Sequence, residues 1–313
     1  MKTIRLSIIV HVTCVLFSTL SGYQASAQGC SDAGFCSIGN LAPRKTDSIN
    51  LKQRITLLLP VGVGDEDVFV FTPGIQYDNQ LSAGWSIQVK VTANYANGNL
   101  GNASGLGDLF LSGTHNFRRE KKWKSSVTFG TKVLLNLGNI KEDGKALPMQ
   151  YQSSLGTVDV ITGFSISNSS WQFSAGWQQP LSGINRNNFL PAYWVSGEAD
   201  NYPPSNDFNR KGDVLLRGAF MFNVKRSLSF NIGLLSIYHI AEDTYIDANV
   251  SNNPIAIRGS QGLTLNATFS GSWNVNKDLS IGFLAGAPLV ARDVRPDGLT
   301  RSFVFSPEIR WNF

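Results

Sequence analysis

Two histidines lie beyond the first 27 residues of this chain, His115 and His239, and hydrolytic chemistry would have to start from them. A hydrolase working at a membrane surface needs a histidine, a serine and an asparagine turned toward one another. No His-x-Ser-Asn-Gly-like cluster surrounds either histidine, and no G-x-S-x-G, H-E-x-x-H or phosphate-loop pattern occurs. His115 falls on the apolar parity of an alternating stretch, as a residue at a membrane interface would. His239 stands at the end of another such stretch beside Glu242 and Asp243; the expectation is a solvated loop histidine, with a metal ligand as the rival. Asp65-Glu66-Asp67 reads as a solvated acidic turn rather than a cation site. These residues predict no enzyme, no cofactor and no metal centre.

The start of the chain is a leader. Lys2 and Arg5 precede the apolar residues 6–20, and Ala25-Ser26-Ala27 supplies a small-x-small cleavage site, so residues 1–27 read as a secretory signal peptide. Its removal lowers the formal net charge from +5 to +3, too mild a balance to imply nucleic acid or an acidic polymer. Cys30 and Cys36 remain, an even pair in an oxidising compartment, which predicts a disulfide closing a small loop. The rival is lipidation of Cys30, against which Gln28 stands as a large residue two positions before it.

Past a polar segment, residues 28–48, assigned to the periplasm, apolar residues recur at every second position. In one stretch Trp85, Ile87, Val89, Val91, Ala93 and Tyr95 alternate with Ser86, Gln88, Lys90, Thr92 and Asn94. Twelve such stretches can be traced through residues 49–313. They run about ten to thirteen residues, whereas soluble strands average about five or six and tilted spanning strands need about nine to eleven. The connections alternate in length. Those at 78–82, 118–122, 168–170, 225–227 and 274–278 are short; those at 97–105, 136–155, 182–211, 240–262 and 289–300 are longer, and only 62–67 departs from the rule. Tryptophan and tyrosine gather near the strand ends, at Trp85, Tyr95, Trp123, Trp171, Trp177, Trp273 and Trp311. Together these features predict an all-β fold: a transmembrane antiparallel up-and-down β-barrel of about 12 strands. The compartment this implies is the outer membrane of a Gram-negative-type bacterium, with membrane lipid as a partner.

The last strand alternates Phe303, Phe305, Ile309, Trp311 and Phe313, and Trp311 and Phe313 mark the strand end that should close the barrel on residues 51–59. An ending of this kind resembles the signal read by the barrel-assembly machinery, which the resemblance implies as a partner. The polar parity should face the lumen, giving Gln88, Lys90, Lys132, Asp159, Asp213, Arg217, Glu308 and Arg310 as lining candidates. Phe110, Leu134, Leu215, Met221, Leu235 and Ile237 interrupt that parity and suggest a partly apolar lumen. Two functions stand. One is porin-like passive passage of small solutes, apolar or aromatic ones among them. The other is a plugged structural or binding barrel presenting its external loops. A membrane-surface hydrolase is a third, for which the residues are wanting.

Gly105-Leu106-Gly107-Asp108 opens the fourth stretch, and Gly156-Thr157-Val158-Asp159 opens the sixth after a loop that follows residues 130–137. These stretches resemble the outer-membrane family named for the meta-pathway of phenol degradation, whose pattern has a Gly-x-Gly-Asp turn, a Leu-Pro-Thr-Gly strand end and a Gly-Thr-Gly-x-x-Asp re-entry. Here Leu135-Asn136-Leu137-Gly138 stands at the strand end and Val158 in the second glycine pattern. The resemblance implies a transport barrel carrying a small-molecule solute, with Gly105, Gly107 and Asp108 forming a turn.

Overall fold

The computed structural model describes residues 38–42, 53–117, 122–298 and 301–313. The expected signal peptide, Cys30 and Cys36 lie outside the described residues. Twelve staves form one sheet, two of them broken by prolines. β1 is Gln53–Leu58 continued by Val61–Gly64, and β2 is Phe69–Phe71 continued by Gly74–Gln80. Then follow β3 (Trp85–Gly98), β4 (Gly101–Phe117), β5 (Lys124–Leu134), β6 (Asp159–Ser167) and β7 (Trp171–Pro180). β8 is Asp213–Lys225, β9 Leu228–His239, β10 Gly262–Asn274, β11 Leu279–Val290 and β12 Arg301–Asn312. The breaks fall at Pro60 and Pro73, whose nitrogens carry no hydrogen for a ladder bond.

Each stave pairs antiparallel with its chain neighbours, and β12 pairs with β1, Trp311 opposite Ile55 and Ile309 opposite Leu57. Phe313 N–H donates to Gln53 O at 3.0 Å and Gln53 N–H donates back at 3.2 Å, so the sheet closes on itself. Among the described residues the wall of the barrel therefore has no free edge to template another chain.

The two faces follow from the pleat. Outward positions are apolar and exposed: Ile75, Phe129, Leu216, Ile232 and Phe303 are each at least half exposed. Five phenylalanines, Phe222, Phe230, Phe269, Phe283 and Phe305, step across β8–β12 with ring centroids 5.6–5.9 Å apart. His115 faces outward too, its ring 4.6 Å from that of Trp85 and 4.9 Å from that of Phe117. A surface of this kind is stable in hydrocarbon and flanked by rings where lipid meets water.

One connection differs from expectation. Residues 97–105 are not a loop: β3 and β4 continue and turn over Asn99 and Leu100 alone. The asparagines that signalled a loop lie on a strand pair rising beyond the wall, whose Ala96, Leu100 and Ala103 bury against loop residues. Gly105, Gly107 and Asp108 are accordingly not a turn. They sit inside β4, opposite a slip in register between Val91 and Ala93, where Asp108 N–H donates to Thr92 Oγ1 at 3.0 Å.

Ile232 tests the lipid-facing assignment. Ile232→Arg near the middle of β9 should cost about 2–4 kcal/mol of stability in vesicles by reversible urea unfolding. An unchanged midpoint would show that this face does not meet hydrocarbon.

Candidate functional site

Alternation turns the polar parity inward, and the chain's own N-terminal part occupies some of that space. Gly39–Leu41 forms a single 3-10 turn inside the barrel. Gly39 N–H donates to Gln88 Oε1 at 3.0 Å. Asn40 Nδ2 donates to Asn116 Oδ1 at 2.9 Å and to Ser126 Oγ at 2.8 Å, while Asn40 O accepts from Ser165 Oγ at 2.7 Å and Gln172 Nε2 at 3.0 Å. Leu41 O accepts from Arg217 Nη1 at 2.7 Å. Ile38 and Leu41 bury among Phe110, Ile161, Leu215 and Leu235. The expectation of a periplasmic segment at 28–48 therefore fails for residues 38–42, which lie in the lumen because inward hydroxyls and amides satisfy their backbone.

The opposite end is sealed by loops. Residues 135–158 carry a short hairpin and a 3-10 turn, Met149–Tyr151. Tyr151 Oη accepts from Leu100 N–H at 3.1 Å and lies 3.2 Å from Tyr202 Oη in the next long loop. Asn187 Nδ2 donates to the carbonyls of Gly138 (2.8 Å) and Leu147 (3.0 Å), tying those two loops together.

Beneath them lie two buried ionic clusters. In the first, Arg210 bonds Asp213 and, at 3.1 Å, Asp297, which also takes Arg292 at 2.5 Å. His239 Nδ1 is 2.7 Å from Asp213 and its Nε2 2.8 Å from Asp243. In the second, Lys132 Nζ donates to Thr157 Oγ1 at 2.7 Å, with Asp159 at 3.2 Å and Asp108 at 3.8 Å. Burial pushes the Asp297 carboxyl up, but Arg292 and Arg210 outweigh it and hold it well below the usual carboxylate range. Burial works against the Arg210 guanidinium, but Asp213 first and Asp297 next raise it above its ordinary value.

Beside the plug, at the short-turn end of the lumen, remains a cavity of about 710 Å³. It runs from Gln80 and Lys124 at the short-turn end to Thr72 and Thr92, with Gly39, Asn40 and Ala42 forming part of its wall. A second space of about 50 Å³ shares Thr72 and Thr92 and ends against Gln150, Gln152 and Gly298 of the loops.

The lining candidates divide. Gln88, Lys90, Glu308 and Arg310 border the cavity, Lys90 Nζ 4.2 Å from the Phe110 ring and Arg310 2.6 Å from Glu308. Lys132, Asp159 and Asp213 face inward but are locked in the ionic clusters, and Arg217 holds the plug, because these charges need fixed partners once covered. His239 is likewise no solvated loop residue; it is 1% exposed between two carboxylates. Phe110, Leu215, Leu235 and Ile237 pack against the plug and loops rather than facing open space. Gly105 and Gly107 have a packing role: a Cβ there would lie 2.9 Å from Ser153 Oγ and 3.0 Å from Ser153 O, so glycine lets the loop lie against the wall. Sequence reasoning missed Asn187, Arg210, Arg292 and Asp297. Asn187 and Arg210 lie in the connection 182–211 and Arg292 and Asp297 in 289–300, and length was the signal those connections gave. Among the described residues no group of three or more His, Cys, Asp or Glu is placed to hold a metal ion.

The molecule is thus a transmembrane antiparallel up-and-down β-barrel with a polar, partly filled lumen. No protein-family profile matches the chain, and no curated protein sequence does. Similar solved structures include the NanC porin (9% identity, TM-score 0.46, 83% of this chain and 98% of that one). Another is the KdgM porin (7%, 0.43, 83% and 99%). A third is the translocator domain of the autotransporter NalP from Neisseria meningitidis (7%, 0.45, 86% and 91%). At these identities the likeness is one of shape alone.

Asp297→Asn should weaken the seal, since breaking a buried ion pair costs about 3–5 kcal/mol. Hydrogen exchange within residues 292–298 should accelerate. The sign of the pH effect follows from the depressed carboxyl: its contribution is present above the ordinary value of about 3.9 and is lost as pH falls from there toward the folded value. Exchange that ignores both the substitution and acid would remove Asp297 from the seal.

Proposed function

We propose that this chain is an outer-membrane barrel of a Gram-negative-type bacterium for gated, passive passage of small polar solutes, with no enzymatic role. The observation that carries the reading is the cavity of about 710 Å³, of mixed polar and apolar lining, with its smaller continuation toward the loops. Its lining is rich in amides and hydroxyls, and its charges are largely partnered: Asp78 accepts from Gln76 and Gln88, and Glu308 pairs with Arg310. Such a surface replaces the water around a neutral polyhydroxyl solute at little cost. Of the apolar interior side chains, Phe110, Leu215, Leu235 and Ile237 are covered by plug and loops while Met221 lines the cavity, so the polar groups along the wall weigh toward a polar solute that carries some apolar surface. Membership of the phenol meta-pathway family would fit a transport role of this kind.

The route stops where loop meets loop. Gly298 has φ +65° and a Cβ on it would fall 2.6 Å from Met149 O, so these backbones meet at a glycine. Gly298→Val should part them and raise single-channel conductance in planar bilayers. Liposomes carrying the protein should swell in neutral sugars, and Lys90→Glu should shift ion selectivity toward cations. Silence from both the unaltered protein and Gly298→Val, in bilayers and in liposomes, would sink the reading. The alternative, a binding barrel that presents its loops, is favoured by the seal itself, and such silence would support it.

A further inference from the structure

We propose that residues 38–42 are a removable internal plug, held in a wettable seat from which they withdraw to widen the route; this rests on the passage reading above. The seat is unlike a core contact. Apart from the buried side chains of Ile38 and Leu41 and one charged donor, Arg217 to Leu41 O, the segment meets neutral side chains that water can serve equally well: Gln88, Asn116, Ser126, Ser165 and Gln172, from five different strands. Exchanging neutral hydrogen bonds for water changes the free energy little, so the polar part of the seat offers small resistance to leaving.

The fit is nonetheless specific. Gly39 has φ +49°, and a Cβ there would meet Thr114 Oγ1 at 2.5 Å and Thr128 Oγ1 at 2.9 Å. Gly163 in β6 leaves the space that Leu41 fills; a Cβ on it would lie 2.6 Å from Leu41 Cδ2. The segment is also part of the cavity wall, through Gly39, Asn40 and Ala42, so its departure enlarges the same space a solute would cross. The sequence supplies enough tether. Residues 43–52 separate Ala42 from β1, and ten residues reach up to ~35 Å when extended, beyond the ~25 Å height of a barrel's apolar band. Withdrawal therefore does not require β1 to leave the sheet.

The test uses the full chain with Cys30→Ser, Cys36→Ser and Ile38→Cys, at a side chain fully buried in the seat, reconstituted in phospholipid vesicles and labelled with a water-soluble maleimide. Without further change the thiol should react slowly. Adding Gly163→Leu, which fills the Leu41 space, should speed labelling several-fold. In planar bilayers, with the loop contact opened by Gly298→Val, adding Gly163→Leu should more than double the conductance. Asn40→Ala, which keeps backbone and packing, should raise it in the same direction and carries the comparison if Gly163→Leu fails to show the heat-modifiable gel migration of a folded barrel. Equally fast labelling with and without Gly163→Leu would overturn the seat. Faster labelling with unchanged conductance, in a barrel that conducts through Gly298→Val, would overturn the plug while leaving passage intact. No conductance in any variant, Gly298→Val included, would overturn passage and gating together even if labelling responds.

Discussion

The structure depends on one closure, the pairing of β12 with β1. In hydrocarbon an unpaired backbone amide costs several kcal/mol and finds no water, so a sheet in a membrane must have no edge. The ladder from Arg54 opposite Asn312 to Leu58 opposite Glu308 removes both edges at once, and Phe313 extends it by two bonds with Gln53. The breaks in the wall confirm the constraint by where they fall. The prolines that interrupt β1 and β2 sit beside each other, and Thr72 N–H finds Pro60 O at 2.9 Å across the gap.

Closing twelve strands creates a second constraint, because such a circle is too wide for wall side chains alone to fill. The chain answers from both ends. Long loops descend over the mouth, and residues 38–42 rise within the lumen. Every polar group they bring needs a partner, which is why inward positions carry Gln88, Asn116, Lys132, Asp159 and Arg217. The apolar interruptions of the inward parity have the same origin: Phe110, Leu215, Leu235 and Ile237 receive Ile38, Leu41, Met149 and Phe208.

The wall was legible in the sequence because a period of two reports directly which face each residue takes. Strand number, the partner of the last strand, and the outward set from Trp85 to Trp311 all follow from it. The interior was less legible. Alternation says that Lys132 and Asp213 point inward, but not whether water or another segment meets them there. Asp213 is joined to Arg210 three residues away and to His239 opposite it on β9, yet no local pattern brings Asp297 to Arg210. The β3–β4 turn was misread for a related reason. Asn97, Asn99 and Asn102 look like loop chemistry, while the strand pair there is held by burial of Ala96, Leu100 and Ala103 against Leu147 and Tyr151, a contact between segments distant in sequence.

The two closures differ in kind, and this orders how the molecule opens. At the loop end, parting the segments separates buried ions, as Arg210 of the connection 182–211 from Asp297 of the connection 289–300. Each separation leaves charge in a low-dielectric space with no immediate substitute, which is strongly unfavourable. At the short-turn end the contacts are neutral amides, hydroxyls and carbonyls, and water replaces them bond for bond. Only Arg217 brings a full charge to the plug, and it does so through a carbonyl rather than a carboxylate. Thermal fluctuation should therefore loosen the plug far more often than the loops. The loop contact at Gln150 and Gly298 then sets the rate of any passage, while residues 38–42 set how much of the lumen is available when that contact yields.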